Sequence, residues 1–152
     1  MKYIKKINEN LYRKTKYQAN VFIPFGRNEI KKIEEIGKKF ELRKNKIKLY
    51  IDHDPRDDNG NVVNISLSYL QLLPSDTHII HRRSSKYKSA YKECQFNIAK
   101  KEDDYYYASY QLRELYGDDR YDIETDIYLC DGIDGLESLL SNKLESSLFS
   151  GI

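Results

Sequence analysis

Hydrophobic and polar positions alternate most regularly in two neighbouring stretches. Lys46-Ile47-Lys48-Leu49-Tyr50-Ile51-Asp52 is one, and Val63-Asn64-Ile65-Ser66-Leu67-Ser68 is the other. A period of two puts every apolar side chain of a stretch on one face of a strand. Between them lies His53-Asp54-Pro55-Arg56-Asp57-Asp58-Asn59-Gly60, rich in turn formers and ending in Asn-Gly. The pattern predicts a central β-hairpin over about 46–68, apolar on one face and wet on the other.

Helical spacing dominates elsewhere. Ile4, Ile7 and Leu11 predict a short first helix over 2–11. Val21, Ile23 and Phe25 predict a strand over 17–25, with Pro24 marking its end or an edge. Asn28 then caps a helix carried by Ile30, Ile33, Ile36 and Phe40, with Gly37 assigned to its last turn. Glu34–Lys38 and Glu35–Lys39 stand four apart in the order that favours ion pairing along a helix. Tyr69 to Leu73 reads as a helical turn stopped by Pro74. Thr77–Arg82 and Tyr91–Ile98 read as strands, with a loop over Ser84–Ala90.

Residues 105–116 offer two readings. Their tyrosines favour a strand, but Tyr105, Ala108, Leu112 and Leu115 form a helical stripe with acids before it and Gly117 after it. A helix is expected. Tyr121–Leu129 then forms the last strand. A C-terminal helix opens on the capping box Asp134-Gly-Leu-Glu137 and buries Leu136, Leu139, Leu140, Leu144 and Leu148. The expected fold is one α+β domain over 1–152, with a largely antiparallel sheet and three to four helices, including the amphipathic one at the C-terminus.

Composition narrows the function classes. No apolar run is long enough to span a membrane, and the first residues lack the apolar segment of a secretory signal. Cys94 and Cys130 are too few and too far apart for a disulfide framework or a four-ligand zinc site. One bridge between them is compatible with the sequence, but reduced thiols in a cytoplasm are expected. Nothing matches a phosphate loop, a nucleophile elbow, a kinase or a zinc finger, so no cofactor is expected.

Charge changes the picture more. The chain carries 26 basic and 24 acidic side chains, close to balance overall. Residues 1–50 nevertheless hold 15 basic and 5 acidic groups, whereas residues 101–152 hold 4 and 13. Two opposite fields of this kind steer partners.

The basic candidates for a binding surface are Lys31, Lys32, Lys38, Lys39, Arg82, Arg83, Lys86 and Lys88. Cations of this sort suit phosphates. The acidic and aromatic candidates are Asp103, Asp104, Tyr106, Asp118, Asp119, Asp122, Glu124 and Asp126. Carboxylates spread over a rigid surface can imitate a phosphate backbone, and tyrosines anchor protein interfaces. Catalysis would draw on His78, His81, Arg82, Arg83 and Lys86, which supply the acid, base and cations of a metal-independent ribonuclease. Against this, His78 and His81 point to opposite faces of a strand. Asp52, Asp54, Asp57 and Asp58 crowd the hairpin loop and could hold Mg²⁺ or Ca²⁺ through oxygen ligands. Turn formation accounts for them without a metal.

The reading that results is a small intracellular binding module whose partner is nucleic acid or a nucleic-acid-binding protein, with no membrane involved. A compact regulator of the sort mobile elements encode fits that size and polarity by analogy. The alternatives are the ribonuclease and a self-assembling protein whose complementary thirds join copies into a homo-oligomer.

Overall fold

The computed structural model describes residues 11–16, 23–43, 47–53, 60–73, 90–102, 104–116 and 119–147. Six strands are seen: β1 (Tyr12–Thr15), β2 (Ile47–Asp52), β3 (Ile65–Leu73), β4 (Ala90–Glu102), β5 (Tyr105–Tyr116) and β6 (Asp119–Asp131). They form one antiparallel sheet in the order β1-β6-β5-β4-β3-β2. Strands β2 to β6 follow one another as a meander, and β1 closes onto β6 at the far side. Two helices complete the described residues, α1 (Arg27–Arg43) and α2 (Gly132–Ser147).

Strand alternation decides where the core lies. In register, Leu67 faces Phe96 and Phe96 faces Tyr110, so same-parity residues build one continuous apolar face. That face holds Ile65, Leu67 and Tyr69 of β3, Cys94, Phe96 and Ile98 of β4, and Tyr106, Ala108, Tyr110 and Leu112 of β5. Both helices cover it. Ile33, Ile36 and Phe40 of α1 and Leu136, Leu139, Leu140 and Leu144 of α2 share one core cluster with those strands. The opposite face carries Ser66, Ser68, Gln95, Asn97, Ser109, Gln111 and Thr125, all exposed or half-buried. The same face also carries the exposed Leu72 and Tyr91 and the buried row Ala99, Tyr107 and Leu129, so it is only partly polar.

The hairpin expected over 46–68 is present as β2 and β3, paired from Ile47–Gln71 to Asp52–Ser66. The expected three to four helices are corrected to two among the described residues. Residues 105–116 are strand β5, not a helix. Tyr106, Ala108, Tyr110, Leu112 and Tyr116 are buried on one parity, and the strand is held between β4 and β6 along its length. Tyr69–Leu73 is no helical turn either, because β3 runs through to Leu73 opposite Ala90. The predicted helix over 2–11 and the strand over 77–82 lie outside the described residues, Leu11 excepted. Of the strand predicted over 17–25, residues 17–22 lie outside them, and Ile23 makes a single bridge to Lys100.

Helix ends also differ from expectation. Helix α1 starts at Arg27, and the Glu29 side chain accepts the Gly26 N–H at 2.9 Å. Gly26 therefore occupies the cap position expected of Asn28, with Glu29 closing half of a capping box. Gly37 lies inside the helix rather than at its end. Tyr69 Oη donates to the Gly37 carbonyl at 2.8 Å, and a Cβ there would meet Leu67 and Tyr69 at 3.3 Å. Helix α2 begins at Gly132, two residues before the expected Asp134, with Gly132 at φ 71°. That left-handed conformation suits glycine and turns the chain from β6 into the helix.

Candidate functional site

The outward face of α1 concentrates one sign of charge. At about 100° per residue, Arg27, Asn28, Lys31, Lys32, Glu35, Lys38 and Lys39 share an arc of about 140°, and all seven are exposed. The other three glutamates of the helix turn inward. Glu29 accepts from Tyr106 Oη and, at 3.1 Å, from Lys100 Nζ. Glu34 pairs with His53 Nε2 at 2.7 Å, and Glu41 accepts the Leu49 N–H at 2.7 Å. Burial raises the Glu29 carboxyl, but hydrogen bonds from Tyr106, the Gly26 N–H and Lys100 outweigh it and hold the group below the usual range.

This arrangement replaces the ion pairs expected along the helix. Glu34 goes to His53 instead of Lys38, and Lys39 goes to Glu137 of α2 at 2.7 Å instead of Glu35. Among the described residues Arg27, Lys31, Lys32 and Lys38 join no ion pair. Glu35 is the one acid on the outward arc.

Two of the five acids of strand β6 are compensated in place. Asp126 pairs with Lys14 of β1 at 3.7 Å, and Glu124 pairs with Lys143 of α2 at 3.3 Å. Lys143 Nζ also lies over the rings of Tyr110 and Tyr128, 5.0 and 5.3 Å from their centroids. Burial lowers the affinity of this amine for its proton, but Tyr128 and Glu124 win and the pKa is raised. Asp104 and Asp122 are exposed, while Asp119, Glu124 and Asp126 are half-buried. Tyr106 is 3% exposed and belongs to the core, so it offers no surface to a partner. Tyr107, Tyr110, Tyr116 and Tyr128 are buried as well, which removes most aromatic anchors from the acidic third.

Asp52 is exposed at the end of β2. Among the described residues no group of three His, Cys, Asp or Glu side chains is placed to hold a metal ion. Asp54, Asp57, Asp58, His78, His81, Arg82, Arg83, Lys86, Lys88, Asp103 and Asp118 lie outside the described residues.

A polar row inside the sheet escaped the sequence reading. Gln71, Lys92 and Glu114 are cross-strand neighbours on the helix-covered parity of β3, β4 and β5, and all three are buried. Tyr116 Oη donates to Glu114. Burial depresses the Lys92 pKa, and the Glu114 carboxylate opposes that shift. The signal was available: each of the three stands on the same parity as the apolar residues of its strand. A buried ammonium beside a buried carboxylate compensates charge internally, which fits a structural role for the row.

The two thiols offer no reactive alternative. Cys94 and Cys130 are unbridged and buried, and burial pushes each up to about 12, far from the thiolate character a nucleophile needs. A shallow depression of about 330 Å³ lies among Leu11, Arg13, Tyr105, Leu129 and Asp131, with one cation and one carboxylate on its wall. No helix among the described residues is long and apolar enough to cross a membrane. No protein-family model, curated protein or solved structure matches the chain.

Proposed function

We propose that this protein is a nucleic-acid-binding module that works through the cationic outer face of α1. The observation that carries this reading is the inward turn of Glu29, Glu34 and Glu41, which leaves Arg27, Lys31, Lys32 and Lys38 outward. The arc is about 18 Å long at 1.5 Å per residue, long enough to meet several phosphates. Between Arg27 and Lys39 it contains no aliphatic or aromatic residue. Protein interfaces depend on such anchors, whereas phosphate contacts need only cations and hydrogen-bond donors. This contrast favours nucleic acid over an acidic protein. The pairing of Asp126 and Glu124 with Lys14 and Lys143, with the burial of the tyrosines around them, weakens the case for the acidic third as a phosphate mimic. A cytoplasmic setting, in which Cys94 and Cys130 stay reduced, is part of the same proposal.

The test is fluorescence anisotropy with labelled mixed-sequence duplex and single strands, with an acidic protein as a parallel arm. Binding to nucleic acid at low salt is expected, with a double variant Lys31→Glu, Lys38→Glu losing it while keeping the wild-type circular dichroism and melting temperature. Absence of binding in low salt, or full binding by the double variant, overturns the proposal. So does tighter binding of the acidic protein.

A further inference from the structure

Resting on that reading, we infer that α1 tracks a phosphate backbone through four cations, without reading base sequence, and that Glu137 withholds a fifth.

The count follows from the ion pairs. Of the five cations on the outward arc, Lys39 alone is engaged, by Glu137 at 2.7 Å. Arg27, Lys31, Lys32 and Lys38 have no such partner among the described residues. The Lys39–Glu137 pair is itself open to solvent, with side-chain exposures of 59% and 37%. Pairs like this are weak, so the carboxylate can exchange for a phosphate, but only against its own attraction and its repulsion of the incoming strand.

Indifference to sequence follows from residue type and from the neighbours of α1. Lysine can contact a guanine edge, but as a flexible point charge it fixes geometry less than the planar groups of Arg, Asn and Gln. Only Arg27 and Asn28 qualify, side by side at the helix start, and Glu35 stands in the middle of the arc. Helix α2 flanks α1 on the Lys39 side, and β2 flanks it where Glu34 and Glu41 make their contacts. With both flanks occupied, α1 cannot sink into a groove far enough to reach base edges.

Each phosphate contact on a duplex contributes about 0.9 to the slope of log affinity against log salt. Four contacts give a slope of about −3.6, a loss of roughly 150-fold between 50 and 200 mM salt. Glu137→Gln releases Lys39, so binding at 50 mM should tighten severalfold and the slope should steepen to about −4.5, roughly a 500-fold loss over the same range. Adding Lys39→Ala to Glu137→Gln should return the slope to the wild-type value.

Salt titrations of the three proteins against two duplexes of unrelated sequence separate the outcomes. If none of the proteins binds either duplex, the nucleic-acid reading itself fails. If all bind with one common slope, that reading stands and the role of Glu137 is overturned. A preference above tenfold for one duplex overturns backbone tracking. Matching affinities for both duplexes, with the slope moving as described, support the inference.

Discussion

Glu41 of α1 reaches across to the outer edge of the sheet and accepts the backbone N–H of Leu49 at 2.7 Å. Among the described residues strand β2 is the last strand on its side, so this amide points away from β3 and would otherwise be an open donor on that edge. Such edges invite pairing with another chain. Glu41→Ala is expected to lower stability by about 1 kcal/mol, the usual worth of a hydrogen bond, and to promote self-association through β2. Glu41→Gln keeps an acceptor and should stay at the wild-type oligomeric state. Light scattering across a concentration series checks this, with urea unfolding for the stability; an Ala variant that associates no more than wild type contradicts the edge role.

Close approach of α2 to the strands below depends on Gly135. A Cβ there would lie 2.4 Å from the Leu11 carbonyl oxygen and 3.2 Å from the Cys130 carbonyl carbon, both backbone atoms with little freedom to yield. Gly135→Ala should therefore cost about 3 kcal/mol, at the upper end of overpacking penalties. Gly26→Ala, whose Cβ would meet only Glu29 at 3.9 Å, is the mild comparison. Urea midpoints for the two variants read the difference, and equal midpoints would refute the steric account.

Glu29 ties the start of α1 to the sheet through Lys100 and Tyr106. Its carboxyl titrates below the usual carboxylate range in the folded protein. The unfolded chain therefore takes up this proton at higher pH than the folded one does. The resulting stabilisation is complete above the ordinary carboxylate range and disappears as pH falls through the depressed folded value. Glu29→Gln should lower stability at pH 7 and make the acid limb of the stability profile shallower. Urea midpoints of both proteins between pH 2 and pH 7 give the comparison; parallel profiles would show that Glu29 carries no linkage.

The hairpin was legible because Ile47, Leu49, Ile51, Ile65 and Leu67 keep strict alternation and each strand has one wet face. Strand β5 was hidden by the opposite circumstance. Tyr106, Tyr107 and Ala108 are all buried in succession, which breaks the period of two and leaves an accidental helical stripe. Helix α1 was readable from Ile33, Ile36 and Phe40, and its four lysines are exposed. The fate of its glutamates was not readable. Partners four residues apart compete with partners such as His53 and the Leu49 amide, which only the tertiary fold brings near. Tyr106 was misplaced for the same reason: a phenol among acids resembles surface until Glu29 is found to receive it.

Strand β1 pairs with β6, Tyr12 opposite Cys130 and Thr15 opposite Ile127. During translation the earlier segment leaves the ribosome long before its only described neighbour in the sheet exists. The meander from β2 to β5 can zip up hairpin by hairpin, whereas joining β1 closes a loop around nearly the whole of it, with the entropic cost that long closures carry. Docking of β1 is therefore expected to be a late event in folding, and the positive charge around Arg13 and Lys14 spends that interval without the carboxylate of Asp126 beside it.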